Sequence, residues 1–143
     1  MPAKDIYHEC VKKALIKDEW VITDDPLSLK IGQKDIFIDL GAEKLLAAEK
    51  EGQKIAVEVK SFVGKSEIED LKQTLGQYYL YYKVIKYVRS ERLLYIAIRQ
   101  AVFERLFTLE IGKMLLEDNS LKLIIFNPEK EEITQWINQE IIR

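Results

Sequence analysis

The sequence predicts an α/β domain in which a mixed β-sheet is covered by helices. Three features carry that expectation. An amphipathic helical stretch opens the chain, several short extended runs follow it, and a long helix then leads into a strand–helix–strand segment. At 143 residues with 48% apolar side chains, the chain is long enough for a real core and reads as one domain over 1–143.

The elements follow from the spacing of apolar residues. Residues 5–18 place Ile6, Cys10, Val11, Ala14 and Leu15 on one side of a helix, with no Gly or Pro inside it. Residues 20–23 read as a short strand that Asp24-Asp25-Pro26 breaks, because proline lacks the donor a ladder needs. Residues 29–31 form another extended piece, and 36–40 read as one strand with Phe37 and Asp39 on a shared face. Residues 45–49 and 54–60 then suit the arms of a hairpin turning at Gly52, although Leu45 to Ala48 alone would also make a helix.

Ser66, with Glu69 three residues on, is a capping-box start for a long helix reaching about Val88. Two rows of this helix are largely uncharged: Ile68, Leu71, Leu75, Tyr78, Tyr79 and Tyr82, and opposite them Gln73, Gln77, Leu80, Tyr81, Val84 and Val88. A helix of that kind is expected to be covered from both sides, by the sheet on one face and by a site or partner on the other. Residues 93–98 are an apolar strand, 101–107 and 110–117 are helical, and 121–126 are a second apolar strand. The tail, with Ile133, Trp136, Ile137 and Ile141, reads as an amphipathic helix or a closing strand.

Composition narrows the function classes. Net charge is −2, which gives bulk non-specific nucleic-acid binding no support while leaving room for a local basic surface. One Cys excludes an intrachain disulfide, and one Cys with one His cannot build a structural zinc site alone. No phosphate-binding glycine loop, spanning segment or secretory leader is evident, so a cytoplasmic protein without membrane partners is expected. His8 has no evident catalytic partner and reads as exposed or helix-capping.

The chemistry concentrates in Ile55-Ala56-Val57-Glu58-Val59-Lys60. Alternation sends Ile55, Val57 and Val59 to one face and Glu58 and Lys60 to the other. Charges in so apolar a strand cost desolvation unless they pair or bind something. With Asp39 on an adjacent strand, two carboxylates meet the need of a hard Mg²⁺ or Mn²⁺ ion for oxygen ligands, and the Val59 carbonyl offers another. Such an ion polarises a phosphodiester and helps generate hydroxide, while Lys60 orients that water or stabilises transition-state charge. The bland alternative is a solvated Glu-x-Lys face.

This pattern resembles the PD-(D/E)xK nuclease superfamily. Gln77 and Tyr81, one helical turn apart, match the Gln-x-x-x-Tyr of its RecB-like branch, and Glu9 matches that branch's N-terminal helical acid. Ile38 stands where many members have proline. Glu9 is also placed to pair with Lys13 across one turn, and Gln77 and Tyr81 also suit an ordinary helix interface. More of the chain resembles the XisH family: Ile38-Asp39-Leu40-Gly41-Ala42-Glu43, Ala47-Ala48-Glu49-Lys50, Ile55 through Phe62, and Leu75-Gly76-Gln77-Tyr78.

The resemblance implies a restriction-endonuclease-like fold and a cyanobacterial factor controlling excision of the fdxN element. It further implies metal ligands Glu9, Asp39, Glu58 and Val59, with Gln77 and Tyr81 supporting the site. Implied partners are DNA, a site-specific recombinase and the companion XisI. Two functions follow: a Mg²⁺- or Mn²⁺-dependent endodeoxyribonuclease, or a non-catalytic accessory protein binding recombinase, companion or DNA. The uncharged helix face also suggests a homodimer.

Overall fold

The computed structural model describes residues 5–44 and 52–140. The expected class holds: a mixed sheet of six strands in the order β1-β4-β5-β6-β7-β8, flanked by helices. Its strands are β1 (Val21–Asp24), β4 (Leu40–Lys44), β5 (Gln53–Val59), β6 (Leu93–Arg99), β7 (Leu123–Asn127) and β8 (Glu132–Ile137). β2 (Leu27–Ile31) and β3 (Lys34–Ile38) form a separate antiparallel ribbon. The centre of the sheet is parallel, β5 to β6 and β6 to β7, and both edges are antiparallel. Parallel strands require a crossover, which α2 (Glu67–Tyr87) supplies between β5 and β6.

Both faces of the central strands are buried, as their continuous apolar runs require. On one face, Ile55, Val57 and Val59 pack with Val11 and Leu15 of α1 (His8–Lys17), with Tyr95 and Phe126, and with Trp136 of β8. Tyr95 is fully buried and meets Trp136 edge-on at 5.1 Å between ring centres. On the other face, Ala56, Ile96 and Ile98 pack beneath Leu71, Tyr78 and Ile85 of α2. The alternation expected along β5 is therefore realised.

Several expectations change. Residues 36–40 are two strands broken at Asp39, where the chain leaves the β2–β3 ribbon and enters the main sheet, so Phe37 and Asp39 share no strand face. The strand expected at 54–60 pairs with β4, Lys44 opposite Gln53, so Gln53 belongs to the strand and not to the turn, while the expected first arm, 45–49, lies outside the described residues. Residues 101–107 are not a plain α-helix: α3 (Gln100–Val102) passes into a π-helical turn at Phe103–Phe107 before α4 (Glu110–Leu116). The tail resolves as the closing strand β8, with Ile141 outside the described residues.

Within this chain the long helix is covered on one face. Leu71, Thr74, Tyr78, Val84 and Ile85 are buried, whereas Tyr79, Leu80 and Tyr82 are exposed. Its N-terminal box is half formed: Ser66 Oγ accepts from the Glu69 N–H at 3.3 Å, but the Glu69 carboxylate turns outward to Lys72. Ser66→Ala should therefore destabilise the protein by roughly 1 kcal/mol in urea denaturation, and Ser66→Asp should restore most of that.

Candidate functional site

The break at Asp39 is a ladder continued by side chains. Leu40 pairs with Val57, so Asp39 stands across from Glu58 in the antiparallel register. There the Asp39 N–H donates to Glu58 Oε1 at 3.2 Å, and the Val59 N–H donates to Asp39 Oδ2 at 2.8 Å. Each residue's carboxylate thus meets the other strand's backbone, and the two acids end up on one face. Lys60 Nζ lies 3.7 Å from Glu58 Oε2, and its N–H donates to the Ala97 carbonyl at 3.0 Å. The sequence-expected trio Asp39, Glu58 and Lys60 is brought together.

Burial makes this arrangement electrostatically tense. Glu58 is 6% exposed, and burial first, then the Asp39 charge, pushes its carboxyl up to about 8. Burial also raises Asp39, although the Val59 N–H, its hydrogen bond with Glu58 and the charges of His8 and Lys60 oppose that rise. Lys60 alone does not offset the pair. Two adjacent carboxyls of this kind share protons unless a cation joins them, which is the behaviour of a hard-metal site.

Tyr81 of the helix behind stands near both acids. Burial, then the charges of Glu58 and Asp39, pushes its phenol up to about 12, so the ring stands within electrostatic reach of both acids. Gln77 lies one turn earlier, with its side-chain carbonyl oxygen buried and without a hydrogen-bond partner. Beside Lys60 a cleft of about 190 Å³ opens between Ser61 to Gly64 and the Gln73 and Thr74 stretch of α2.

The first helix holds what the sequence did not reveal. His8 is not exposed: only 2% of it meets solvent, and its Nε2 lies 2.7 Å from Asp25 Oδ1, while its Nδ1 is buried without a partner. Lys12 Nζ grips the other Asp25 oxygen at 2.8 Å. Burial raises the Asp25 carboxyl, but the hydrogen bonds from Lys12 and His8 prevail and hold it below its ordinary value. Glu9 joins this group: potential ligand atoms of His8, Glu9 and Asp25 all lie within 4.8 Å of one another. His8 and Asp25 are 17 positions apart, and Asp25 reads locally as a turn residue before proline, so no periodicity announces the pair.

A second clamp fixes the strand end. The Ser61 N–H donates to Asp5 Oδ2 at 3.1 Å, and its carbonyl accepts from Arg99 at 2.8 Å. The Arg99 guanidinium lies over the Tyr7 ring, 5.0 Å from its centre. Lys60 is thereby carried on a backbone held on either side.

The family model described as XisH protein matches residues 1–134. The chain belongs to the XisH family. An XisH family protein from Nostoc punctiforme PCC 73102 is 38% identical, with a TM-score of 0.82 over 93% of this chain and 99% of that one. A second crystal structure, titled an fdxN element excision controlling factor protein from Anabaena variabilis, is also 38% identical, with a TM-score of 0.81 over 94% and 99% of the two chains. No curated protein matches. Among the described residues of this XisH chain, no helix is long and apolar enough to cross a membrane.

The Glu58 shift has a definite sign. A carboxyl whose folded value lies above its unfolded value contributes stability that is intact below about 4.5 and lost as pH rises through about 8. The metal-free protein should lose on the order of 2 kcal/mol between about pH 5 and pH 9 in urea denaturation, and Glu58→Gln should flatten most of that decline.

Proposed function

We propose that this XisH-family protein controls excision of a DNA element and carries a PD-(D/E)xK-type, metal-dependent endonuclease site. The family membership supports the first part, since a 38% identical relative bears the name of an excision controlling factor. The observation that carries the second is the buried Asp39–Glu58 pair, bridged by backbone N–H groups with Lys60 beside it.

The donor set suits a hard divalent ion. Asp39 and Glu58 supply carboxylate oxygens, buried side by side with Lys60 as their near cation, and the Val59 carbonyl is a further candidate donor. Mg²⁺ or Mn²⁺ held there supplies Lewis acidity toward the phosphodiester and lowers the pKa of water. The protein's own groups do the remainder. Lys60 orients the attacking water and stabilises developing negative charge, and its clamped backbone fixes where that charge is met. Gln77 offers its unsatisfied carbonyl to the site's hydrogen-bond network, and Tyr81 closes one wall against bulk water. Glu9 of α1, grouped with His8 and Asp25, is the acid we assign to complete the metal environment. DNA is the substrate, and a recombinase with an XisI-like companion acts alongside.

A second reading is a non-catalytic accessory protein. The large apolar groove on α2, lined by residues that have no place in the Asp39–Glu58 site, favours it. The two readings separate in an excision assay, where an Asp39→Ala, Glu58→Ala protein that folds and still supports full excision would leave the site without a catalytic role.

Under the nuclease reading, purified protein with Mn²⁺ or Mg²⁺ should cut labelled duplex, nicked or branched DNA, and Lys60→Ala should slow cutting by about 100-fold or more. Without DNA, Mn²⁺ should raise the melting temperature of the wild-type protein and leave an Asp39→Asn, Glu58→Gln protein unmoved. Equal cutting by Lys60→Ala would reject the assigned chemistry.

A further inference from the structure

A larger cavity than the cleft beside Lys60 lies toward the other end of the sheet. It is a groove of about 690 Å³ between the C-terminal half of α2, the start of β6 and the segment before β7. Leu75, Ile85, Leu94, Leu115 and Leu121 line it, and Tyr82 forms part of its aromatic wall. β5 and β6 run parallel, with Glu58 opposite Ile96, so Leu94 and Leu93 lie about 7 and about 10 Å along the strand from the level of the acids.

Its apolar character is unusual for a free surface. Of its lining residues, Tyr79 is 68% exposed and Tyr82 43%. Contiguous tyrosine and leucine of this kind mark protein interaction sites, where tyrosine is enriched. The volume falls in the range that accepts several large side chains.

Charge identifies the occupant. From Leu71 to Ser90 the sequence has Lys72, Lys83, Lys86 and Arg89 and no acid, in a chain whose net charge is −2. Around the groove, Arg92 pairs with Asp24, Lys122 with Glu140, and Glu91 with Lys54. Among the described residues Lys86 has no carboxylate partner; its ammonium rests on the Tyr82 ring, 5.5 Å from the ring centre. The groove thus has a leucine floor, a tyrosine wall and one uncompensated cation at its lip.

We propose that this groove docks an amphipathic helix of a different protein, with large apolar side chains seated on the floor and acidic residues on the flank facing Lys86 and Lys83. This is the helix-in-groove mode of recognition. A second copy of the chain in two-fold contact would bring Lys83, Lys86 and Arg89 against their own equivalents, a like-charge arrangement that this mode avoids. Single-stranded nucleic acid would use the tyrosines and lysines but would leave the leucine floor without apolar partners. The proposal stands apart from the nuclease reading, because it is read by binding and not by cleavage.

The test uses the full chain and two designed peptides of about 18 residues, each with Leu and Phe at helical i, i+3, i+4 and i+7 spacing. One has glutamate flanks and the other lysine flanks. Fluorescence anisotropy should show the acidic peptide binding about tenfold tighter or more, against the bias of the protein's own net charge. Lys86→Glu should abolish or reverse that preference, and Tyr82→Ala should weaken the acidic peptide about tenfold, with circular dichroism confirming that these surface variants remain folded. Equal binding of both peptides, or an acidic preference unchanged by Lys86→Glu, overturns the proposal. Tighter binding of oligo-dT that is lost in Tyr82→Ala would assign the surface to nucleic acid. A dimer in light scattering that Lys86→Glu or Tyr82→Ala alters would assign it to a second copy.

Discussion

The hydrogen bond from the Val59 N–H to the Asp39 carboxylate is the contact on which the rest of the site depends. It replaces a ladder bond with a side-chain bond at the point where β3 has ended and β4 has not yet begun. The backbone is freed to turn away from the sheet into the β2–β3 ribbon, and the acid is held against the strand that supplies Glu58 and Lys60. A strand running straight through residue 39 would satisfy its own backbone and leave the carboxylate directed by strand pleat alone.

The electrostatic consequences spread outward from that contact. Asp39 and Glu58 are desolvated together and the Asp39 charge makes Glu58 harder still to ionise, while Lys60 offers a single charge at 3.7 Å. Across from them the Asp25 carboxylate is held in its charged form by Lys12 and His8, so α1 presents an already compensated cluster. The two groups are therefore opposite in character: one needs positive charge and the other has it. Separation of this kind suits a centre where a cation and an anionic substrate must both be accommodated.

The class of fold was legible because it rests on periodicity. The alternation at 55–60, the capped long helix and the apolar runs at 93–98 and 121–126 all encode burial directly, and each became the element expected. Asp39, Glu58 and Lys60 were legible because acids in an apolar strand conflict with their surroundings, a conflict that sequence exposes. The break at Asp39 was hidden, since Ile36 to Leu40 has flawless strand propensity and only a tertiary hydrogen bond divides it. His8, Asp25 and Arg99 were hidden for the same reason: their partners are set by topology and not by local spacing. The exposed residues of α2 are legible only in part, because apolar residues on a second helix face imply a cover without saying that the cover belongs to the same molecule.

Ser61 is held by Asp5, 56 positions away, and Asp39 meets Val59 across 20 positions. Arg99 must also have arrived, which requires the whole α2 crossover and β6 to be in place. The centre is therefore among the last parts of the chain to acquire its geometry, since non-local contacts form only after the intervening loops have closed. A nascent or truncated chain ending before β6 contains Asp39, Glu58 and Lys60 but lacks the Arg99 contact that fixes Ser61. Timing thus acts as a safeguard: full assembly of the centre is deferred until the fold that confines it is present.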